Sequence, residues 1–315
     1  TLVEDEKPQT LSDVAAQWIT SNKQRWTPAT LERYAGIVNG FIEPKFGLMP
    51  LAKVTRNSIK DFLADVLAVR SAKTVEVTFA VFSGIFNEAI DRGYMHENPV
   101  SGLLKKVLPP KRKRTQSTPD PFTGEDLSTL LSVAWEKLPA PYPLILETIG
   151  MTGMRLGECI AMRLEHLDTH NCQYMVSETM KNDRWGLPKS GKRLIDVPKG
   201  LVEKLLQHIK ELRKKALATG ERVDLLFPGV TQRLVQGALK RACYASRLRV
   251  RHPHDLRHTY ASILLSQNER IMYVKKQLGH HSISMTVDTY GHWIPGERKV
   301  EQDRLLSGRP HSPLR

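Results

Sequence analysis

The side chains best suited to chemistry lie in a few short segments in the second half of the chain. The segments read TGMRLGE at 152–158, PKSGKR at 188–193, HPHDLRH at 252–258, LGHHS at 278–282 and TVDTYGH at 286–292. Arginine stays charged at physiological pH, and its planar guanidinium can hold two phosphate oxygens at once. A tyrosine hydroxyl becomes an effective nucleophile only when its charge is stabilised or its proton is removed. Cations that converge on a phosphate beside Tyr290 would meet the first condition.

Each segment also has an ordinary structural interpretation when it is taken alone. An arginine that follows a glycine turn, such as Arg155, usually forms a surface ion pair. Lys189 is expected at a hairpin tip, where a basic residue is usually solvated, and a tyrosine such as Tyr290 usually serves packing. Together, and in this order along one chain, the segments are far more specific than any one of them.

The string HDLRH at 254–258 also approximates the HExxH pattern of zinc enzymes. That pattern places two ligating histidines one helical turn apart, with the acid as general base. Here Arg257 would stand on the same side of the helix as the metal, and no later acid or histidine has a known third-ligand spacing. The cysteines form no paired zinc spacing; they are Cys159, Cys172 and Cys243. We therefore expect neither a metal nor a cofactor.

The elements that must position these segments are mainly helical. Apolar periodicity and capping residues predict helices at about 127–138, 141–151, 201–217, 231–248, 254–266 and 271–278. Two β-prone stretches, 174–176 and 193–197, are separated by the polar segment 181–192 and predict a small antiparallel sheet. The second half should therefore be a mixed α+β domain with few strands.

The first hundred residues predict a bundle of four or five helices. Helices are expected at Leu11–Asn22, from Pro28 to about Ile42, after Thr55, and from about Lys73 to Asp91. The last of these carries apolar and aromatic side chains at three- and four-residue spacing, which is typical of a core-facing stripe: Val75, Phe79, Phe82, Phe86 and Ile90.

Positive charge is distributed unevenly along the chain. The 315 residues hold 47 Lys and Arg against 33 Asp and Glu, a formal net charge of +14. Residues 1–100 contribute −1, residues 101–120 contribute +5, and residues 121–315 contribute +10. The stretch 101–120 combines prolines with the basic cluster 111–114, so it is expected to be a linker between two domains. This distribution favours a polyanionic partner for the linker and the second domain.

Composition excludes several other classes of protein. Forty per cent hydrophobic and 25% charged residues are ordinary for a globular protein. No run approaches the roughly 18 apolar residues that a membrane span needs, and nothing at the start resembles a signal peptide. An odd number of widely spaced cysteines favours a reducing compartment over a disulfide framework. We expect an intracellular protein with two domains.

In order and separation, the segments TGMRLGE, the Lys189 turn, HPHDLR, LGH and DTYGH resemble the tyrosine recombinases, also called the phage integrase family. The resemblance covers about residues 10–300. It implies a mainly α fold that closes on DNA as a C-shaped clamp, with the domain boundaries already indicated. Residues 1–100 would form a SAM-like, helical core-binding domain, 101–120 a basic linker, 121–300 the catalytic domain, and 301–315 a C-terminal tail that docks on a neighbouring subunit.

The resemblance also implies a role for particular residues. Arg155 and Arg257 fit the two catalytic arginines, His254 the histidine before the second, and His280 the position in the LGH segment. Lys189 fits the hairpin lysine, with Lys192 and more remotely Lys181 as rivals, and Tyr290 fits the nucleophile.

The implied mechanism needs no metal and no nucleotide. Tyr290 would attack a DNA phosphodiester to give a 3′-phosphotyrosine and a free 5′-hydroxyl. Arg155, Arg257 and His280 would stabilise charge on phosphorus, His254 would assist proton removal, and Lys189 would protonate the leaving oxygen. Glu158 and Asp255 are expected to hold Arg155 and the helix of His254 in place, whereas His252, His258, His281 and His292 are not expected to be catalytic.

The partners implied are double-stranded DNA at attachment or core sites, a homo-tetramer on synapsed sites that forms a Holliday junction, and accessory DNA-bending proteins. The expected function is integration and excision of a phage or other mobile element, in the bacterial cytoplasm and nucleoid or the cytoplasm of a phage's host. Two alternatives remain: a host recombinase that resolves chromosome dimers, and a DNA-bridging protein that does not cleave.

Overall fold

The computed structural model of the chain describes residues 9–110, 119–182 and 184–293. It divides into two compact units, one up to residue 116 and the other from residue 117 onward. Both are rich in helix, and the strands form small antiparallel sheets, so the predicted fold class is confirmed. Among the residues described, no helix is both long and apolar enough to cross a membrane.

The first unit is a helical bundle. Its helices are α1 (Leu11–Asn22), α2 (Pro28–Ile37), α3 (Glu43–Phe46), α4 (Arg56–Val69), α5 (Ala72–Asp91) and α6 (Leu104–Val107). Side chains that accept a hydrogen bond from a backbone amide cap four of them: Thr10, Thr27, Thr55 and Ser71. The expected helix from Pro28 to Ile42 is interrupted, because Val38–Ile42 is a π-helical turn.

The core of the first unit is formed by the apolar faces of these helices. Phe46, Phe62 and Phe82 pack edge to face, with ring centroids between 5.4 and 5.8 Å apart. Leu103 and Leu108, which flank α6, are buried in the same core. Residues 103–108 therefore pack with the bundle, although the sequence assigned them to a linker; apolar burial outweighs the nearby lysines. The basic cluster 111–114 lies outside the described residues.

The second unit surrounds a small sheet with helices. The helices are α7 (Gly124–Lys137), α8 (Tyr142–Thr152), α9 (Leu156–Ile160), α10 (Lys199–Thr219), α11 (Gln232–Ala245), α12 (Pro253–Ser266), α13 (Ile271–Leu278) and α14 (Ile283–Tyr290). The strands are β1 (Leu167–Asp168), β2 (Gln173–Val176), β3 (Thr179–Lys181), β4 (Arg184–Gly186) and β5 (Arg193–Asp196). The glycine turn before Arg155 indicates that a helix begins there, and α9 confirms it, whereas the sequence did not indicate the eight-residue α14.

The sheet has the order β1-β2-β5 and is antiparallel, as expected from the two β-prone stretches. A second hairpin, β3-β4, lies between β2 and β5, in the segment expected to be polar loop. Its strands are largely exposed, so they lack the apolar alternation by which a sequence signals a strand. Helix α8 packs against α12 and is almost entirely buried, which fixes the turn after α8 beside the start of α12.

Candidate active site

Arg155 lies at the junction between α8 and α9. Gly153 ends α8 in the left-handed conformation, with φ of +66°, and an added Cβ there would lie 2.4 Å from the ring of Tyr260. Arg155 then begins α9, and its backbone amide donates to Glu158 Oε2 at 3.0 Å. Its guanidinium donates to Glu158 Oε1 at 2.8 Å and to Ser190 Oγ at 3.3 Å. The predicted contact between Glu158 and Arg155 is present.

Glu158 also binds a second arginine that the sequence did not single out. Arg193, at the start of β5, donates to both carboxylate oxygens of Glu158 at 3.0 and 2.6 Å, and its Nε donates to the carbonyl of Gln277 at 3.0 Å. Burial alone would raise the pKa of Glu158, but the guanidinium groups of Arg193 and Arg155 lower it to about 2. The carboxylate is therefore ionised at neutral pH and holds two cations.

Arg257 is fully buried in α12 and links two distant turns. It donates to the backbone carbonyl of Gly153 at 2.7 Å and to that of Leu278 at 2.6 Å. Burial and the charge of Arg155 lower its pKa, yet the value starts so high that the guanidinium stays charged near neutral pH. A charge with so little water around it acts strongly on whatever enters the site.

Tyr290, the last residue of α14, is buried, and its hydroxyl lies 2.6 Å from Nδ1 of His258. His258 is the imidazole in direct contact with the expected nucleophile, although the sequence pointed to His254. His254 contacts His258 instead, with ring centroids 4.6 Å apart and planes near a right angle. The expectation that His254 assists proton removal stays a prediction.

His280 also lies beside Tyr290. It follows Gly279, which ends α13 in the left-handed conformation, and its Nδ1 lies 2.9 Å from the hydroxyl of Thr286. The rings of His280 and Tyr290 are parallel, with centroids 6.2 Å apart. The structure thus gathers Arg155, Arg257, His254, His280 and Tyr290 into one site, with His258 among them.

The imidazoles of the site are neutral at neutral pH. Burial, then the charge of Arg257, lowers the pKa of His280 to about 3, and burial also lowers that of His258. Burial, then His258 and Arg257, lowers the pKa of His254 to about 4, although its exposed edge lets solvent screen part of the effect. Burial raises the pKa of Tyr290 to about 12, against the opposing charges of Arg257 and Arg155. The phenol therefore keeps its proton until something removes it.

Lys189 lies in the turn between β4 and β5, so the prediction that it occupies a hairpin tip is wrong. The amide of Gly191 donates to the carbonyl of Pro188 across this turn, and the hairpin tip follows Lys181 in β3 instead. The turn is nevertheless beside the site: the carbonyl of Lys189 lies 3.0 Å from Nε2 of His281. Lys189, Lys192 and Lys181 are all exposed, so the choice among them stays a prediction.

Asp255 holds the start of α12, as expected: its carboxylate accepts from the backbone amide of His252 at 2.8 Å. Within residues 9–110, 119–182 and 184–293 no group of three or more His, Cys, Asp and Glu side chains is arranged to hold a metal ion. The guanidinium groups of Arg155 and Arg257 can meet the charge of an incoming phosphate. The two arginines, a buried tyrosine and a neutral imidazole on its hydroxyl suit attack of the phenol on phosphorus.

Sequence profiles match nearly the whole described chain. The profile described as "Phage integrase family" matches residues 121–295, and that of the "Phage integrase central domain" matches residues 11–106. The first match covers more than half of the chain and contains every residue of the site.

Similar proteins carry names that agree with these profiles. The chain is 26% identical over 294 residues to the ICEBs1 integrase of Bacillus subtilis (strain 168), covering 85% of this chain and 75% of that one. It is 25% identical over 279 residues to the tyrosine recombinase XerC of Alcanivorax borkumensis, covering 86% of each chain.

Solved structures share the fold. The Tn1549 transposon integrase in complex with a circular intermediate DNA superposes with a TM-score of 0.75 at 18% identity, covering 94% of this chain and 99% of that one. A lambda integrase dimer bound to a COC′ core site gives a TM-score of 0.68 at 19% identity, covering 88% and 97%. At such low identity the likeness shows the fold alone.

Proposed function

The chain belongs to the phage integrase family, the tyrosine recombinases, and we propose that it cuts and rejoins DNA at specific sites through a covalent 3′-phosphotyrosine on Tyr290. It is an enzyme of the site-specific recombinase class. The observation that carries the proposal is the position of the Tyr290 hydroxyl, which is buried against His258 in the electrostatic field of Arg155 and Arg257.

Each charged group has a task in this chemistry. Arg155 and Arg257 stabilise negative charge on the non-bridging oxygens as phosphorus becomes five-coordinate, and preorganised cations contribute most where water is excluded. His280 is neutral and donates a hydrogen bond to the same oxygens while Thr286 fixes its ring. Lys189 protonates the leaving 5′-oxygen, with Lys192 as the rival for this role, since both lie in one exposed stretch beside the site. His254 supports proton removal through its contact with His258.

The domains divide the work of holding DNA. The helical unit acts as the core-binding domain and residues from 121 to about 300 as the catalytic domain, with the part of the basic stretch 101–120 that follows Leu108 as the linker between them. Sequence charges of −1, +5 and +10 support a larger electrostatic contribution from the linker and the catalytic domain. The tail, 301–315, docks on a neighbouring subunit; it lies outside the described residues, as does the side chain of His292.

The assembly acts as a homo-tetramer on two synapsed sites, exchanges strands through a Holliday junction, and uses accessory DNA-bending proteins. Its biological role is integration and excision of a phage or other mobile element, in the bacterial cytoplasm on nucleoid DNA. A relative named as an integrase and another named XerC have nearly the same identity to this chain, so a host recombinase remains the second candidate for the biological role.

Capture of covalent protein–DNA adducts tests the reaction. The purified chain is incubated with duplexes that carry a randomised central segment and a nick beside it, so that cleavage releases a short strand and traps the adduct. We expect a band resistant to denaturation, and Tyr290→Phe should abolish it while retaining affinity for DNA. Binding without any adduct from the wild-type chain would instead support the DNA-bridging protein that does not cleave.

Sequencing the trapped DNA separates the two biological roles. A mobile-element integrase should select a sequence that occurs beside its own gene, because such a site is shared by the element and its target. Selection of a chromosomal sequence remote from the gene would favour the host recombinase.

A further inference from the structure

We propose that His258 is the base that removes the proton from Tyr290 during cleavage and returns it during rejoining. The proposal rests on the proposed function, since it assigns one step of that reaction. The carrying observation is the 2.6 Å approach of His258 Nδ1 to the Tyr290 hydroxyl, a direct contact with the reacting oxygen. A general base must lie within hydrogen-bond reach of the proton that it abstracts, and His258 does so before DNA arrives.

The fold holds this imidazole firmly. His258 lies in the second turn of α12, whose first turn is fixed by Pro253 and by the carboxylate of Asp255. Its next neighbour in the helix, Thr259, is buried and accepts a hydrogen bond from the amide of Phe122 at 2.9 Å. The edge-on ring of His254 limits its rotation from a third direction. Position and orientation of the base are therefore set by the protein core.

The charges around His258 suit a base that is neutral before the reaction and protonated in the transition state. Burial and the charge of Arg257 lower its pKa, so the ring is neutral and its Nδ1 can accept a proton. The carboxylate of Asp255, three residues earlier on α12, acts in the opposite sense and favours the imidazolium once it forms. Among the residues that the structure describes, the other titratable neighbours are Tyr290 itself and the neutral imidazoles of His254 and His280.

The step balances in both directions. In cleavage the bond between Tyr290 Oη and phosphorus forms, the bond between phosphorus and the 5′-oxygen breaks, and the phenol proton moves to His258 Nδ1. The leaving 5′-oxygen takes a proton from Lys189. In rejoining the 5′-hydroxyl attacks phosphorus and gives its proton to Lys189, while the imidazolium of His258 protonates Oη as the phosphotyrosine bond breaks.

The test compares His258→Asn with the wild-type chain in single-turnover cleavage of the nicked duplex. Asn places an amide oxygen near the position of Nδ1, so it retains a hydrogen-bond acceptor but cannot take a proton. We expect cleavage to slow by about 10²-fold or more, with DNA affinity unchanged. His170→Asn, at an exposed turn after β1, is the matched control and should cleave like wild type.

Two further measurements separate a base from other roles. A duplex with sulfur in place of the bridging 5′-oxygen has a leaving group that needs no proton, so it should restore cleavage to Lys189→Ala but not to His258→Asn. Raising the pH should accelerate His258→Asn by about tenfold per pH unit, because bulk hydroxide replaces the missing base. Cleavage by His258→Asn at the wild-type rate, or faster, would overturn the proposal. Faster cleavage would show that the contact between His258 and Tyr290 holds the tyrosine inactive.

Nitrogen-15 NMR of the imidazoles tests the proposal in the wild-type chain, so it does not require His258→Asn to fold. In the wild-type chain His258 Nδ1 should appear unprotonated and should shift when Tyr290 is replaced by Phe. A protonated Nδ1 at neutral pH would overturn the proposal, since that nitrogen could not accept the phenol proton. Absence of any DNA adduct from the wild-type chain would instead refute the proposed function, while this spectrum still reports on the pair.

Discussion

The two sides of the candidate site are built from opposite kinds of interaction. On the arginine side (Arg155, Glu158, Arg193 and Arg257) permanent charges are held by a buried carboxylate and by backbone carbonyls. On the tyrosine side (His254, His258, His280 and Tyr290) the groups are neutral and touch through ring contacts and hydrogen bonds. One side is made to attract a phosphate, and the other is made to move a proton beside it.

The difference shows how one site meets two requirements, phosphate binding and proton transfer, with separate groups. Guanidinium groups close to an imidazole disfavour its protonation, so the charge that binds phosphate also keeps the histidines available as bases. The same charges oppose the effect of burial on Tyr290 and make its phenolate easier to form. The charges of the arginine side therefore keep the histidines neutral and make Tyr290 easier to ionise, although no proton passes between the two sides.

Arg257→Lys should have the largest effect, because it weakens the arginine side while keeping its charge. Lysine lacks the planar fork, so it cannot satisfy both the carbonyl of Gly153 and that of Leu278. We expect adduct formation to fall by about 10²–10³-fold. The free energy of unfolding should fall by about 1–3 kcal/mol, since a buried acceptor is left unpaired.

The measurements are single-turnover cleavage and urea unfolding, with Arg241→Lys on the exposed face of α11 as control. If Arg257→Lys cleaved as fast as this control, a positive charge alone would be sufficient at position 257. The planar geometry of the guanidinium would then not be needed for cleavage.

Glu158→Gln tests whether the arginine side depends on its carboxylate. Because the folded-state pKa of Glu158 is about 2, below its ordinary value of 4.5, its contribution to stability is complete above about pH 4.5 and is lost as the pH falls toward 2. A shift of this size corresponds to about 3 kcal/mol. We expect the variant to be less stable by about that amount at neutral pH.

The free energy of unfolding should also depend less on pH in Glu158→Gln than in wild type when both are titrated from pH 7 downward. Glu203→Gln, at an exposed position on α10, should retain the wild-type pH dependence. Parallel curves for Glu158→Gln and wild type would show that the ion pairs with Arg155 and Arg193 do not stabilise the fold.

Thr286→Val should give the smallest effect, on the tyrosine side. It removes the hydroxyl that fixes His280 and replaces it with a methyl group in a fully buried position. One neutral hydrogen bond is worth about 1 kcal/mol, so cleavage should slow by about fivefold. Thr286→Ser keeps the hydroxyl and should restore the rate; failure of this rescue would assign the effect to packing.

Sequence patterns predicted the parts of the molecule that are long or have strong local signals. Capping threonines and apolar periodicity located α1, α4, α5 and α7. Helix α14 was missed because eight residues give too little periodicity. Its omission matters, since it carries Tyr290.

The site was predicted as a set of residues but not as a set of contacts. Motif order indicated Arg155, Arg257, His280 and Tyr290, which the structure brings together. Which imidazole meets Tyr290 depends on how α14 packs against α12, and that information is tertiary. Arg193 gave a weaker signal: it follows a run of basic turn residues, where one buried arginine looks like the rest.

The hydrogen bonds of Arg257 have a consequence for how this fold tolerates change. Both of its acceptors are main-chain oxygens, so no side-chain replacement at the acceptor positions deletes them. Insertion or deletion of a residue in either turn would instead carry a carbonyl out of reach. The spacing around residues 153 and 278 should therefore be far less tolerant of length variation than strand β4, whose three residues are all exposed.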